Sequence, residues 1–147
     1  IRYLISTILE APVFGASTST SKLPYGQTRL SSGRALGLEV GIALRPETEV
    51  SAINKLVDEV EAVLFLTVQP GNYGHEFMPA VLGKMKAFKR SHAGKSFGVN
   101  GGVRLENLGA IVEAKPDFVT VGSAIFNAPD PAAAYREFNR RIAGADI

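Results

Sequence analysis

Three glycine-rich segments are the part of the sequence best suited to bind an anion. Each follows an apolar run of strand length, and they are Gly71-Asn72-Tyr73-Gly74, Gly101-Gly102 and Gly122-Ser123. Glycine lets backbone N–H groups approach an anion closely, and the N-terminus of a following helix adds partial positive charge. The spacing also fits a second interpretation, in which the glycines only form tight turns between strands and helices. The pair Gly101-Gly102 is not a G-x-G-x-x-G fingerprint, so a dinucleotide site is not favoured.

Few other side chains have the spacing of a reactive site. His75 and His92 are the only histidines, and this pair matches no recognised zinc motif. His75 could contact a ligand beside the first glycine segment, but a polar loop residue is the favoured interpretation, and we predict that His92 is a solvated residue after a helix. We interpret Glu10 as a solvated or salt-bridged carboxylate. Arg104 could assist an anion site or simply be an exposed arginine.

The amino-acid composition excludes several classes of protein. The chain has 147 residues, of which 46% are hydrophobic and 20% charged, as in an ordinary globular domain. The absence of cysteine excludes disulfides and thiolate chemistry and fits a reducing compartment, so we expect a cytoplasmic protein. A net charge of +2 is too small to imply nucleic acid, and the basic cluster within residues 84–90 is interpreted as a solvated helix face. No apolar run approaches the ~20 residues of a membrane span, and residues 1–9 lack the features of a signal peptide.

Apolar strand-length runs alternate with amphipathic helix-length runs along the chain. The predicted strands cover residues 3–10, 38–44, 62–68, 96–100 and 117–121. The predicted helices cover residues 28–37, 47–60, 77–90, 105–114 and 131–142. Thr48 and Asp130 are candidate N-caps, and Pro131 suits a first helical turn. The Ser, Thr, Gly and Pro content of residues 12–26 is typical of a loop.

This alternation predicts a single α/β domain over residues 1–147, with about five parallel strands joined by helices. Two architectures fit, an open doubly wound sheet or part of a (β/α)₈ barrel. A complete barrel needs about 250 residues, or at least ~200, so the chain is too short to form one.

Four segments resemble the ribulose-phosphate 3-epimerase family. Residues 64–77 (LFLTVQPGNYGHEF) resemble the family pattern MSVNPGFGGQxF, and residues 98–106 (GVNGGVRLE) resemble its VDGGI segment. Residues 119–131 (VTVGSAIFNAPDP) are very similar to its last strand segment, and residues 41–48 (GIALRPET) to GVALNPxT. The resemblance runs from about residue 38 to 138 and covers strands four to eight of a family of TIM barrels. It therefore implies a partial, half-barrel fold.

The resemblance also implies which catalytic groups are changed. Family members move a proton at C3 of a ketopentose phosphate with two aspartates, around a divalent metal such as Zn, Fe, Mn or Co held by histidines and those aspartates. Asn100 stands where the strand-seven aspartate is expected, and Leu66 where a methionine is expected. A neutral amide cannot act as a general base near neutral pH and is a poorer metal ligand than a carboxylate. We therefore expect no metal site and weak or lost catalysis in the isolated chain.

The phosphate-binding segments of the family correspond better. They match residues 71–74, Gly101-Gly102 and Gly122-Ser123, with His75 beside the first, although Tyr73 stands where the family has glycine. The leading hypothesis is therefore a protein that binds a pentose phosphate through these loops. One alternative is an active epimerase completed by another chain or by missing N-terminal strands. The other is a non-enzymatic half-barrel that serves in assembly.

A half-barrel has open sheet edges, and these edges affect how the protein associates with other chains. Unpaired edge strands invite pairing with another chain. We expect a homodimer formed through these edges, with a complementary half-barrel chain as the alternative.

Overall fold

The sheet observed in the computed structural model is parallel and has five strands. The structure describes residues 8–9, 34–37, 39–69 and 76–144. The strands are β1 (Ile8–Leu9), β2 (Gly41–Leu44), β3 (Ala62–Leu66), β4 (Ser96–Asn100) and β5 (Phe118–Thr120). They lie side by side in the order of the sequence, and every neighbouring pair is parallel. A doubly wound sheet reverses its strand order at a switch point, so this order favours a segment of a barrel.

Helices connect and follow these strands. They are α1 (Ala80–Ser91), α2 (Leu108–Glu113), α3 (Ser123–Phe126) and α4 (Pro131–Ala143), with short 3₁₀ helices at Val50–Ile53 and Val57–Glu59. The predicted cap of α4 is confirmed, because the Asp130 carboxylate accepts a hydrogen bond from the Ala133 N–H at 2.9 Å. Among the helices that the described residues form, none is long and apolar enough to cross a bilayer.

The α-helix predicted over residues 47–60 is wrong. The segment forms the two 3₁₀ helices instead, and Glu49, not Thr48, occupies the first N-cap position. Val50, Ile53 and Leu56 recur every third residue, a spacing that also suits the three residues per turn of a 3₁₀ helix. Thr48 is buried, and its hydroxyl has no hydrogen-bond partner among the described residues.

Three other predictions fall at the margin of the described residues. The strand expected over residues 3–10 is described only at Ile8–Leu9, which pair with Ala43 and Leu44 of β2. The loop expected over residues 12–26 lies outside the described residues, as do residues 28–33 of the first predicted helix. At the end of that predicted helix, Gly37 has a φ of +71° and donates its N–H to the carbonyl of Arg34.

Both faces of the central strand β3 are covered. Phe65 lies on one face, where its ring meets those of Phe88 and Phe97 edge-on at 5.5 and 5.9 Å between centroids. Edge-on aromatic pairs contribute about 0.5–1.5 kcal/mol each beyond area burial. Leu64 and Leu66 lie on the other face and form a second buried cluster with Ala43 and Phe118. All five residues of β3 are therefore buried, as expected for a central parallel strand.

The amino-terminal edge of the sheet is held by two carboxylates. Glu61 precedes β3 and accepts a hydrogen bond from the Val40 N–H at 2.6 Å, while its own N–H donates to the Val40 carbonyl. Asp117 precedes β5 and has the same two bonds with the backbone of Phe97, at 3.0 and 2.8 Å. Each carboxylate thus joins neighbouring strands at the point where their pairing begins.

Gly98 lies directly beneath the ring of Phe118 on the neighbouring strand. A Cβ atom at Gly98 would overlap the Cε2, Cδ2 and Cζ atoms of that ring. The ring occupies the space that a side chain at Gly98 would need, so this glycine is required by packing.

We expect Gly98→Ala to lower the free energy of unfolding by about 1–3 kcal/mol, the usual range for overpacking a core. Gly83→Ala is the matched control, because a Cβ at Gly83 in α1 meets nothing within 4 Å. Alanine is favoured over glycine in a helix by roughly 0.5–1 kcal/mol, so the control should be more stable than the parent protein. Urea unfolding of the three proteins measures both effects. A Gly98→Ala protein as stable as the parent would contradict the packing argument.

Candidate functional site

The carboxyl ends of β3, β4 and β5 lie level with one another. Leu66 pairs with Asn100, and Asn100 pairs with Thr120. Strand alternation puts these three residues on the same face of the sheet as Leu64 and Phe118. The loops that follow these strands therefore begin at one edge, which is where ligands bind in parallel α/β folds.

Two of the three predicted glycine segments lie at this edge within the described residues. Gly101-Gly102 directly follow β4, and Gly122-Ser123 lie just after β5. The predicted binding residues Gly71, Asn72, Tyr73, Gly74 and His75 lie outside the described residues. Their part in the site stays a prediction.

The backbone after β4 has a conformation that requires glycine. Gly101 has a φ of +118° and Gly102 a φ of +62°, which side-chain-bearing residues rarely adopt. A Cβ at Gly101 would lie 2.6 Å from Cγ2 of Val68, and one at Gly102 would lie 3.2 Å from Cβ of Phe77. The tight-turn interpretation is therefore sufficient to explain both glycines.

The carbonyl groups of this loop all face donors of the protein. The Thr67 N–H donates to the Asn100 carbonyl at 2.9 Å, and the Thr67 hydroxyl donates to the Gly101 carbonyl at 2.6 Å. The Asn107 side-chain amide donates to the Gly102 carbonyl at 2.9 Å. Within the described part of the chain, no acceptor faces the Gly102 N–H, whereas the Gly101 N–H points towards β5, where Asn100 pairs with Thr120. The Gly102 N–H is thus the group of this loop that an external anion could engage.

Gly122 differs from the glycines after β4. Its φ is −105°, it is exposed, and a Cβ placed on it would meet nothing within 4 Å. Its carbonyl accepts hydrogen bonds from the N–H groups of Ile125 and Phe126, the last two residues of the short helix α3. Ser123 beside it is also exposed. No contact among the described residues requires a glycine here, and the space in front of it is open.

This contrast gives a prediction about stability. Gly101→Ala should lower the free energy of unfolding by about 1–3 kcal/mol, because alanine is strained at this φ and its methyl group would press on Val68. Gly122→Ala should change it by less than about 0.5 kcal/mol, as at an exposed position without special contacts. Thermal and urea unfolding of both variants tests the difference. Equal losses in the two variants would show that Gly122 is also required by the fold.

The described residues in the row Leu66, Asn100 and Thr120 do not fit a divalent metal ion. Asn100 is half-buried at the end of β4, and its neighbours in the row are Leu66 and Thr120, so the row offers an amide and a hydroxyl but no carboxylate or imidazole. Across the ranges that the structure describes, no three His, Cys, Asp or Glu side chains are grouped closely enough to hold a metal.

His92 and the basic residues of α1 lie outside this edge. His92 follows the C-terminus of α1, where its ring stacks on Phe88 at 4.6 Å, so the prediction of a simply solvated residue is corrected. Lys84 is half-buried, donates to the Pro46 carbonyl at 2.8 Å and pairs with Glu49 at 3.0 Å. The solvated-face prediction is therefore wrong for Lys84.

The other members of the basic cluster are more exposed. Lys86 lies 3.6 Å from Glu113, Lys89 lies 3.8 Å from Asp117, and Arg90 is exposed. Such surface pairs typically contribute at most about 1 kcal/mol each. Arg104 is also exposed, and its backbone N–H donates to the Asn107 side chain.

Carboxyl groups with shifted pKa values lie away from the glycine loops. Hydrogen bonds from Arg140 and Arg141 lower the pKa of Glu137 in α4 to about 2. Burial raises the pKa of Glu61, but the Val40 N–H and the Arg34 guanidinium outweigh this effect, so the net direction is downward. Both carboxylates hold structural hydrogen bonds, and neither is suited to general base catalysis near neutral pH.

Thr67 and Asn107 are the site residues that sequence reasoning missed. Thr67 is fully buried after the apolar run of β3, and a hydroxyl at the end of such a run was the available signal. Asn107 occupies the N-cap position of α2, and its side-chain oxygen Oδ1 accepts a hydrogen bond from the Arg104 N–H at 2.9 Å. The helix predicted from residue 105 begins at Leu108 because residues 104–107 form this turn.

Sequence comparison relates the chain to known enzymes. A sequence profile described as the ribulose-phosphate 3 epimerase family matches residues 17–126. The chain is 33% identical over 102 residues to a ribulose-phosphate 3-epimerase of Schizosaccharomyces pombe, covering 69% of this chain and 45% of that protein. It is 32% identical over 111 residues to the Escherichia coli K12 enzyme of the same name, covering 73% and 49%. The chain thus spans about half the length of the curated relatives it matches.

Two solved structures of proteins that are not named ribulose-phosphate 3-epimerase have a similar fold. An orotidine 5'-monophosphate decarboxylase from Sulfolobus solfataricus superposes with a TM-score of 0.59 at 15% identity, covering 80% of this chain and 55% of that one. A 3-hexulose-6-phosphate synthase superposes with a TM-score of 0.58 at 21% identity, covering 76% and 53%. These similarities establish a TIM-barrel-like α/β fold and nothing further.

Proposed function

Because the chain belongs to the ribulose-phosphate 3-epimerase family, we propose that it binds a pentose phosphate at the carboxyl edge of its sheet. The observation that carries the proposal is the open space at Gly122, beside a loop whose Gly102 N–H group has no acceptor in the described ranges. Backbone N–H groups and glycines at strand ends are a common phosphate-binding arrangement. Residues 71–75 complete the proposed site. A further relative, from Oryza sativa subsp. japonica, is named the cytoplasmic isoform of ribulose-phosphate 3-epimerase, and we propose the same location for this protein.

The proposal includes a half-barrel fold with weak or absent catalysis in the isolated chain. The sequence-ordered parallel sheet of five strands supports the half-barrel. Asn100 supports the loss of catalysis, because a neutral amide has no proton affinity suited to a general base. Leu66 and Thr120, its partners in the row, offer no replacement carboxylate.

The purified chain should not interconvert ribulose and xylulose 5-phosphates at ordinary enzyme rates, which are about 1–10³ s⁻¹. Proton NMR in D₂O measures both the interconversion and the exchange of the C3 proton. The Escherichia coli relative is the positive control. Turnover by this chain alone at such a rate would contradict the inference from Asn100. A second chain with histidines and aspartates at its strand ends could also be added. Activity that depends on this addition would favour the alternative of a completed enzyme.

Phosphate and ribulose 5-phosphate should each raise the melting temperature of the protein. A ligand at 100 times its Kd adds about 2.7 kcal/mol, which corresponds to roughly 5–10 °C for a chain of this size. Gly122→Asp should abolish the shift, because its carboxylate would occupy the open space and repel the anion. Gly83→Asp is the matched control, with the same substitution at an exposed position that also has open space. Equal shifts in both variants would contradict a site at Gly122.

A second function, in assembly, is favoured by the surface near β5. Within the described ranges, β5 pairs with β4 on one side only. The two helices that follow it carry the exposed aromatic side chains Phe126 and Tyr135, which are 77% and 58% exposed. Unpaired edges and exposed apolar side chains favour association. We propose that two copies pair through this region, with a complementary half-barrel chain as the alternative partner.

Sedimentation should show a dimer at micromolar concentration. Phe126→Asp should shift the protein towards monomer, because it introduces a charge into the proposed contact. Ala87→Asp, at an exposed position of α1 over the middle of the sheet, should leave the dimer intact. A well-folded monomer of the parent protein at micromolar concentration would contradict the dimer.

A further inference from the structure

Thr67 joins three segments around the glycine loop after β4. It is fully buried, and its hydroxyl lies 2.6 Å from the Gly101 carbonyl and 3.2 Å from the Asn100 carbonyl. Its backbone N–H also donates to the Asn100 carbonyl, and its carbonyl accepts the Met78 N–H at 2.8 Å. Thr67 therefore ties the end of β3 both to this loop and to the segment that enters α1.

The hydrogen bond from the Thr67 hydroxyl to the Gly101 carbonyl also fixes the direction of the next N–H group. A peptide group is planar and trans, so its C=O and the N–H of the next residue point in opposite directions. When the Thr67 hydroxyl holds the Gly101 carbonyl, the Gly102 N–H must point away from Thr67. The backbone bond from Thr67 to Asn100 likewise directs the Gly101 N–H away from β3, into the pairing of β4 with β5.

Two successive glycines would otherwise leave these directions poorly defined. Glycine has more accessible backbone conformations than any other residue, so a Gly-Gly pair holds one orientation only when its surroundings impose it. The contacts with Val68 and Phe77 limit the space at the two Cα atoms, while the bonds to Thr67 set the rotation of the peptide groups.

We propose that Thr67 is a positioning residue, which orients the Gly102 N–H group for a phosphate group. The inference rests on the proposed function, because it assigns the anion to that site. It assigns no contact between Thr67 and the ligand. The effect of Thr67 on binding passes through the peptide group between Gly101 and Gly102.

The chain offers a matched control in Thr48. This residue is also buried, but its hydroxyl has no hydrogen-bond partner among the described residues. Thr48→Val and Thr67→Val remove the same hydroxyl and keep almost the same volume. Only the second change removes a hydrogen bond to the glycine loop.

The experiment measures phosphate and ribulose 5-phosphate affinity together with ligand-free amide exchange in the full chain. Thr67→Val should weaken binding by roughly three- to tenfold, the usual effect of one lost hydrogen bond, and should speed exchange at Gly102. Thr67→Ser keeps the hydroxyl, so its ligand affinity and its exchange rate at Gly102 should equal those of the parent protein. Thr48→Val should change neither quantity. A purely structural role would instead change the melting temperature without this selective change in affinity. If Thr67→Val fails to fold, Thr67→Ala serves as the hydroxyl-free variant.

The possible outcomes separate the two proposals. If the parent protein binds phosphate and Thr67→Val binds equally well, the positioning role is overturned and the proposed function stands. If phosphate binds the parent protein without shifting the Gly102 amide resonance, the positioning role is overturned without any variant. If neither ligand binds, the proposed function is overturned, and the anion-binding role of Thr67 with it. Exchange at Gly102 then decides whether Thr67 orders the loop at all.

Discussion

The burial of β3 on both of its faces is the constraint on which the rest of the structure depends. Phe65 packs towards the helices, while Leu64 and Leu66 pack on the opposite side. A register slip of one residue would exchange these two sets of side chains, so the pairing of β3 with β2 and β4 is strongly specified. That register makes the strands end level, at Leu66, Asn100 and Thr120. The glycine loops can form one site only because their strands end together.

Glycines of this chain serve two separable purposes. Gly98 makes room for an aromatic ring, and Gly101 and Gly102 adopt conformations that other residues avoid. Gly122 has a negative φ and open space where a Cβ would lie, and this difference is what makes it informative about a ligand. In the sequence the four glycines look alike, because neither φ nor a neighbour from another strand can be read from local residues.

Local signals were sufficient for several elements and misleading for one. The strand at Ser96–Asn100 and the Asp130 cap follow from short-range patterns of apolar residues and capping chemistry. The apolar spacing of residues 47–60 fits both an α-helix and a 3₁₀ helix. The sequence predicts an α-helix there, but packing in the folded protein selects the two 3₁₀ helices. The hydrogen bond from Thr67 joins residues 34 positions apart, so no local pattern indicates it. The candidate site came from family resemblance, whereas the physical reason for each glycine came from the fold.

The two carboxylate contacts at the amino-terminal edge have a consequence for how such a sheet can be assembled. Glu61 and Val40 occupy the same relative positions in the β2–β3 pair as Asp117 and Phe97 occupy in the β4–β5 pair. Each of these two strand pairs therefore has a carboxylate contact that fixes its register, formed by residues that the pair itself supplies. A gene duplication or fusion that copies one such pair would copy its alignment as well. Larger barrels could in this way be built from two-stranded units whose strands are already aligned when they are joined.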